Sequence, residues 1–391
     1  MNLDVIFAIV FYGLLLIFFF THRSKFEVQG NVFALYKTKL GLKLMDKFAK
    51  FSPRFMSVLG VIGIFVGYAG MILMVYFLVW GVFIIFKGGP PLLSPVLPGI
   101  QIAPGIPKLG FWHWIISIFI VAAVHEFSHG VYARLYKIKV KSSGFAFLGP
   151  ILAAFVEPEE KQLEKTSRKA QLSVFAAGPF SNVLLGILFL LITAFILGPI
   201  SNSALDFNGL TVSGLEENSG LKEAGVVVGE IILSVNGYEV NGKESLSGSL
   251  DGLKPGDNVK VKTDKKEYDV KLKEHPSDKI KPYLGVSLSA KGFKQEYVDK
   301  YGLFWINALF WVYLLFWWIY TISIGIGIFN LIPLGPVDGG RMMYTSLTRF
   351  MKAETAKKVW NKISLVILLL LFINLLPWII KLLSFIFKPL L

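Results

Sequence analysis

The sequence predicts a polytopic α-helical membrane protein of about six transmembrane helices, with a membrane-reentrant β-hairpin and an inserted extracytoplasmic β-rich domain. Three observations predict it. The 391 residues are 54% hydrophobic and 15% aromatic, with a mean hydropathy of +0.60, and soluble domains are rarely so apolar. Six apolar stretches approach or exceed the roughly 20 residues needed to cross a bilayer. Residues 205–290 break that pattern with short alternating runs and turns.

The six stretches lie at 3–20, 56–86, 111–135, 171–198, 303–329 and 363–387. The first, LDVIFAIVFYGLLLIFFF, lacks a basic leader and a small-residue cleavage site, so it reads as a retained helix. The second is longer than a bilayer requires and is expected to tilt. Between the first two runs lie Arg23, Lys25, Lys37, Lys39, Lys43, Lys47, Lys50 and Arg54, read as a basic loop. Further basic residues cluster after the third run, from Lys137 to Lys169, and after the fifth, from Arg341 to Lys362. The positive-inside rule puts these three loops in the cytoplasm, and both termini and residues 200–300 outside.

The segment 87–110 is rich in Pro and Gly yet apolar, which excludes a regular helix. It reads as a compact external loop or as a lid over a cavity. YKIKVKSSGFAFLGPILAAFVEP (136–158) alternates weakly and fits a β-hairpin dipping back into the membrane. In 205–290, the runs LTVSGL, EIILSVNGYEV, NVKVKT, EYDVKL and YLGVSLS read as strands, and LKEAGV as a short helix. The expected division is 1–110, 111–200, 205–290 and 302–391.

With no cysteine and a net charge of +14, disulfides, thiolate metal sites and cysteine nucleophiles are excluded. In a membrane protein that charge meets anionic lipid, so the expected partner is the bilayer and not nucleic acid.

The chemistry concentrates in HEFSHG, residues 125–130. A charged residue at mid-bilayer costs about 2.5–3.5 kcal/mol on insertion scales, so three ionisable groups there need a compensating task. On a helix, His125 and His129 share a face and can point at one ion, with Glu126 placed to touch a water on it. Catalytic zinc sites have three protein ligands plus water. The third ligand has few candidates. Asp338 is the single carboxylate in NLIPLGPVDGGR (330–341), and the third and fifth runs cross in the same direction, so it sits at similar depth. Two histidines and a carboxylate also suit ferrous oxygenases, but Glu126 beside a ligand argues for hydrolysis, as a base for water and then an acid for the leaving amine. Asn182, in AAGPFSN (176–182), and Asn330 each read as interhelical glue or as hydrogen-bond partners of a substrate backbone or oxyanion. Glu157, Glu159 and Glu160 read as a solvated loop. His22, His113 and His275 receive no role.

Together, HEFSH, AAGPFSN and NLIPLGPVDGGR resemble the site-2 protease family of intramembrane zinc metalloproteases. GLKEAGVVVGEIILSVNG resembles the helix-turn-strand signature of a PDZ domain, so 205–290 is expected to be PDZ-like. The resemblance implies zinc (Zn2+) as cofactor, His125, His129 and Asp338 as its ligands, and Glu126 as catalytic base. It implies substrate contacts by Asn182 and Asn330, and by Gly144 and Phe145 of a membrane-reentrant loop whose family Gly-Phe-Gly centre is Gly144-Phe145-Ala146 here. The expected substrates are transmembrane proteins, either single-pass helices or remnant signal peptides. The expected location is a prokaryotic plasma membrane, with the active site nearer the cytoplasmic side. Two readings compete: a metalloprotease of the prenyl-protein processing kind, whose third ligand is a downstream Glu, and a non-catalytic PDZ membrane scaffold with a structural metal.

Overall fold

The computed structural model describes residues 3–29, 33–99, 106–148, 151–216, 218–276 and 278–387. Among the described residues, six helices are long and apolar enough to cross a membrane: Asp4–Thr21, Pro53–Phe86, Phe111–Leu135, Arg168–Ser203, Gln295–Phe329 and Ala353–Ser384. Each coincides with one of the six apolar runs. Large side chains such as Phe65, Ile72 and Leu365 stay exposed on them, as expected of surfaces that face lipid rather than water.

The chain divides into two compact units. One comprises residues 1–102, 108–192 and 314–391, the other 103–107 and 193–313. The first begins with α1 (Leu3–Thr21), β1 (Phe26–Gln29) and β2 (Phe33–Thr38), then α2 (Leu42–Phe51) and α3 (Pro53–Phe86). After α4 (Phe111–Leu135) come β3 (Val140–Leu148), β4 (Ile151–Pro158), α5 (Glu160–Lys165) and α6 (Arg168–Ile192).

The segment expected to be a basic loop is therefore partly ordered. Its strands β1 and β2 join the hairpin β3–β4 in one antiparallel sheet of order β1-β2-β3-β4. Lys37 pairs with Gly144 and Tyr36 with Phe145. The helix α2 places Lys43, Lys47 and Lys50 at helical spacing and turns Met45 and Ala49 inward against Val131 of α4. An amphipathic face of this kind reads as a loop when only its charges are counted. The hairpin's central residues 149–150 lie outside the described residues.

Glycine lets α3 approach its neighbours closely. A Cβ at Gly63 would meet Phe180 Cδ1 at 3.2 Å, and one at Gly67 would meet Met342 Cε at 2.7 Å. Of the Pro/Gly segment 87–110, residues 87–99 and 106–110 are described. Two indoles hold it: Trp114 Nε1–H donates to the Val96 carbonyl at 3.0 Å, and Trp378 Nε1–H to that of Leu93 at 2.9 Å. Residues 100–105, part of the lid reading, lie outside the described residues.

The second unit opens with a π-helical stretch Thr193–Leu197 and α7 (Gly198–Ser203), followed by β5 (Leu205–Leu215) and α8 (Gly220–Glu223). Next come β6 (Ile231–Val235), β7 (Tyr238–Glu239), α9 (Lys243–Gly248), β8 (Asn258–Thr263), β9 (Glu267–Lys271), β10 (Lys273–His275), β11 (Asp278–Tyr283) and β12 (Val286–Phe293). One sheet runs in the order β12-β5-β6-β8-β9, with β7 paired to β6, and β10–β11 form a separate hairpin. Alternation shows why β8 forms: Val259 and Val261 face a core that includes Ile232, Val270 and Leu284, while Lys260 and Lys262 face out.

The helix α10 (Gln295–Phe329) is broken at Gly302, where φ is 77°. Only glycine adopts that conformation at no steric cost, so the apolar run restarts at Leu303. Its residues from 314 onward return to the first unit. There they precede α11 (Asp338–Phe350) and α12 (Ala353–Phe387).

Candidate active site

The α4 helix carries His125 and His129 one turn apart on one face, with Glu126 next to the first. The turn after α10 brings in the fourth residue. Asn330, Leu331, Ile332, Pro333 and Leu334 end the helix, and α11 starts at Asp338. The Gly339 N–H donates to the Asn330 carbonyl at 2.8 Å, and a Cβ on Gly339 would strike the backbone of Leu331. Glycine is therefore required for the turn to fold back this tightly. As the first residue of α11, Asp338 also lies in the positive field of that helix's N-terminus, which favours a carboxylate.

The result is a convergence of three donor atoms. Nε2 of His125 lies 3.1 Å from Nε2 of His129. Oδ2 of Asp338 lies 3.1 Å from the first nitrogen and 3.4 Å from the second. A tetrahedral zinc ion with bonds of about 2.0–2.1 Å would set its ligands about 3.3 Å apart, so the donor set fits such an ion without rearrangement. Gly178 of α6 completes the cradle. A Cβ there would lie 2.6 Å from His125 Nε2 and would also crowd His129 Nε2. The space where the donors meet exists because residue 178 has no side chain.

His125, Glu126 and His129 form a group able to hold a metal ion, their ligand atoms all within 4.8 Å of one another. Glu126 is held differently from Asp338: its Oε2 accepts the Val156 N–H of β4 at 3.1 Å. The His129 ring is fixed from behind, its Nδ1 lying 2.7 Å from the Val174 carbonyl of α6. A carbonyl only accepts, so Nδ1 carries the proton and Nε2 presents its lone pair to the convergence point.

These groups open into a cavity of about 320 Å³ lined by His125, Glu126, His129, Val156, Asn330 and Asp338, with Arg341 and Phe175 at its border. Asn330 lies on the wall, its side-chain N–H donating to the Ile326 carbonyl at 3.0 Å. The other three residues expected to touch substrate lie elsewhere. Asn182 is fully buried behind His125. Gly144 and Phe145 sit on β3, which is paired on both sides, by β2 and by β4. They do not line this cavity. Gly178, the Val174 carbonyl and the Val156 N–H are contributions that the motif reading did not single out. Gly178 stands inside AAGPFSN and was legible as a residue, but the two backbone groups have no sequence signal.

Fold and site together define a polytopic membrane protein whose HExxH helix is arranged as in a metalloprotease. A model of peptidase family M50 matches residues 113–371, well over half of the chain, and the chain belongs to that family. This is the family that the three motifs resemble. The chain is 27% identical over 350 residues to the uncharacterized protein MJ0971 of Methanocaldococcus jannaschii, a match covering 87% of this chain and 85% of that one. It is 26% identical over 235 residues to the zinc metalloprotease RasP of Shouchella clausii, covering 49% of this chain and 54% of RasP, so it spans about half of that relative's length. Among solved structures, the PDZ domain of an SdrC-like protein from Listeria monocytogenes aligns with 21% of this chain and 88% of its own, at 19% identity and a TM-score of 0.19.

Proposed function

We propose that this chain is an intramembrane zinc metalloprotease that hydrolyses peptide bonds within the transmembrane segments of other membrane proteins. The observation that carries the reading is the meeting of His125 Nε2, His129 Nε2 and Asp338 Oδ2 at 3.1–3.4 Å, on helices apolar enough to lie in a bilayer, with Glu126 alongside. The substrates are single-pass helices or remnant signal peptides.

His125, His129 and Asp338 hold the ion. Bound zinc supplies Lewis acidity, polarising a carbonyl and acidifying water. Glu126 takes the proton from the attacking water and delivers it to the leaving amine. The Val156 N–H keeps the carboxylate turned to the cavity wall while it does so. Asn330 offers its carboxamide to the substrate backbone or to the developing oxyanion.

A helical substrate satisfies its own backbone hydrogen bonds, so it must unwind before its carbonyls can be attacked. The sheet offers a place for the unwound segment. β4 is an edge strand, and its Val156 N–H points to Glu126 and not to another strand. An extended peptide laid along that edge by β-augmentation would pass the site. The β3–β4 hairpin then acts as the membrane-reentrant element. The unit built on β5–β12 acts as an extracytoplasmic PDZ-like domain that filters substrates by size or binds trimmed ends. The site lies in a plasma membrane, nearer the cytoplasmic face, as the basic loops indicate.

The test uses full-length protein in liposomes with a tagged single-pass reporter. Wild-type protein binds one zinc per chain and cuts inside the reporter's apolar segment. Glu126→Gln retains zinc and loses about 10²–10⁴-fold in rate, the usual contribution of a general base. A Glu126→Gln protein that cuts at the wild-type rate, or wild-type protein that cuts only outside the bilayer, overturns the reading.

A further inference from the structure

Asn182 has no exposed surface at all. Its side-chain Nδ2 lies 3.1 Å from Nδ1 of His125, on the opposite edge of the ring from Nε2 and Asp338, and a half-turn of the amide puts Oδ1 in the same place. No substrate can reach it there. Its position is locked from a third helix: Ser323 Oγ–H of α10 donates to the Asn182 carbonyl at 2.7 Å, and a Cβ on Gly327 would meet Asn182 Cβ at 3.1 Å. Three helices therefore meet at one residue, whose backbone and Cβ are held by α10 and whose side chain faces the ring of His125.

The two ring nitrogens of His125 cannot be assigned independently. A neutral imidazole that presents the lone pair of Nε2 to an ion carries its proton on Nδ1, and Nδ1–H needs an acceptor. The carboxamide offers an oxygen at one end and an NH2 at the other. The end facing away from the ring has no hydrogen-bond partner among the described residues, so His125 alone decides which way the amide turns. The NH2 toward Nδ1 would put the ring proton on Nε2 and block that nitrogen as a ligand. Oδ1 toward Nδ1–H frees it. The neighbouring His129 shows the same arrangement, with the acceptor-only Val174 carbonyl behind its Nδ1.

We infer that Asn182 is a positioning residue: its Oδ1 accepts Nδ1–H of His125, fixes that ring's tautomer and orientation, and thereby sets the affinity of the site for its metal. The inference rests on His125 being a metal ligand, and it replaces substrate contact as the role of Asn182. It also explains why a polar residue is buried between membrane helices, where an unpaired amide is costly.

The test measures zinc affinity by chelator competition on full-length protein in detergent, so that it does not depend on cleavage. Asn182→Asp keeps an acceptor and removes the donor, and it should bind zinc within about threefold of wild type. Asn182→Leu keeps the volume and removes the acceptor. It should lose about 10–100-fold in affinity, the usual cost of removing the partner behind a ligating histidine. Two results overturn the inference: Asn182→Leu binding zinc like wild type while cleavage falls, or Asn182→Asp losing tenfold or more. If Asn182→Leu fails to fold, Asn182→Asp decides alone. If neither folds, ¹⁵N-histidine spectra of metal-free wild-type protein decide: an Nδ1–H form of His125 supports the inference and an Nε2–H form overturns it. Wild-type protein that binds no zinc refutes the protease reading itself, whereas two variants that both bind like wild type refute only the role of Asn182.

Discussion

Replacing Gly178 with alanine sets helix propensity against site geometry, and the two make opposite predictions in the two states of the protein. In an unloaded helix, Gly→Ala is favourable by about 1 kcal/mol. The added Cβ would stand 2.6 Å from His125 Nε2 and 2.7 Å from His125 Cε1, closer than carbon approaches ring atoms without displacement. In metal-free protein the two rings are the ends of side chains and can swing aside. Once ligated, they cannot. Overpacking of this size costs about 1–3 kcal/mol. Borne by the loaded state alone, it lowers zinc affinity about 5–150-fold, at about 1.4 kcal/mol per factor of ten. Chelator competition measures the affinity, and thermal unfolding of metal-free protein measures the other state. The expected outcome is weakened zinc binding with an unchanged or higher unfolding temperature for the metal-free form. A Gly178→Ala protein that binds zinc within about threefold of wild type refutes the placement of the ion between α4 and α6.

Three further outcomes are expected. Asp338→Ala should lower bound zinc well below one per chain, because two imidazoles alone leave a catalytic ion one protein ligand short; metal analysis of the purified protein checks this. Val156→Pro removes the N–H that Glu126 accepts at an edge where proline is tolerated; zinc should stay bound while cleavage falls about 10–100-fold, as for loss of a hydrogen bond to a charged group of about 1.5–3 kcal/mol. In the β-rich unit, burial works to raise the pKa of Glu230, but hydrogen bonds from Thr263 Oγ, Tyr268 Oη and the Val227 N–H hold it below the ordinary carboxylate value. A depressed folded pKa contributes stability that is present above the unfolded value of about 4.3 and lost as pH falls through the folded one. Glu230→Gln should therefore lower the unfolding temperature at pH 7, with the gap from wild type closing in acid; a gap that persists unchanged to pH 2 counts against the network.

The parts of this protein legible in its sequence are those whose signal is local. Each membrane helix announces itself by the length of one apolar run, and Leu303 starts the fifth run because Gly302 breaks the helix there. The HExxH spacing places His125 and His129 on one face by helical periodicity alone. Asp338 could be picked out because carboxylates are scarce in that stretch. What escaped notice was non-local or lay in the backbone. The strands β1 and β2 sit in a segment whose lysines dominate its composition, and β2 pairs with β3 more than 100 residues away, as in Thr38 with Ser143. The expected roles of Gly144 and Phe145 depended on their facing the cavity, which a strand's neighbours decide and its own residues do not.

Residue type, spacing and hydrophobic length by themselves determined the family, the six helices and the residues able to bind an ion. Tertiary structure alone decided which atoms meet. It put a glycine of α6 where the donors converge, a carbonyl and a carboxamide behind the two imidazoles, and an edge-strand N–H on Glu126. The physical reason is range. Helix formation and burial respond to neighbours within a few residues along the chain, whereas the direction of a lone pair is set by atoms that only packing brings within 3 Å.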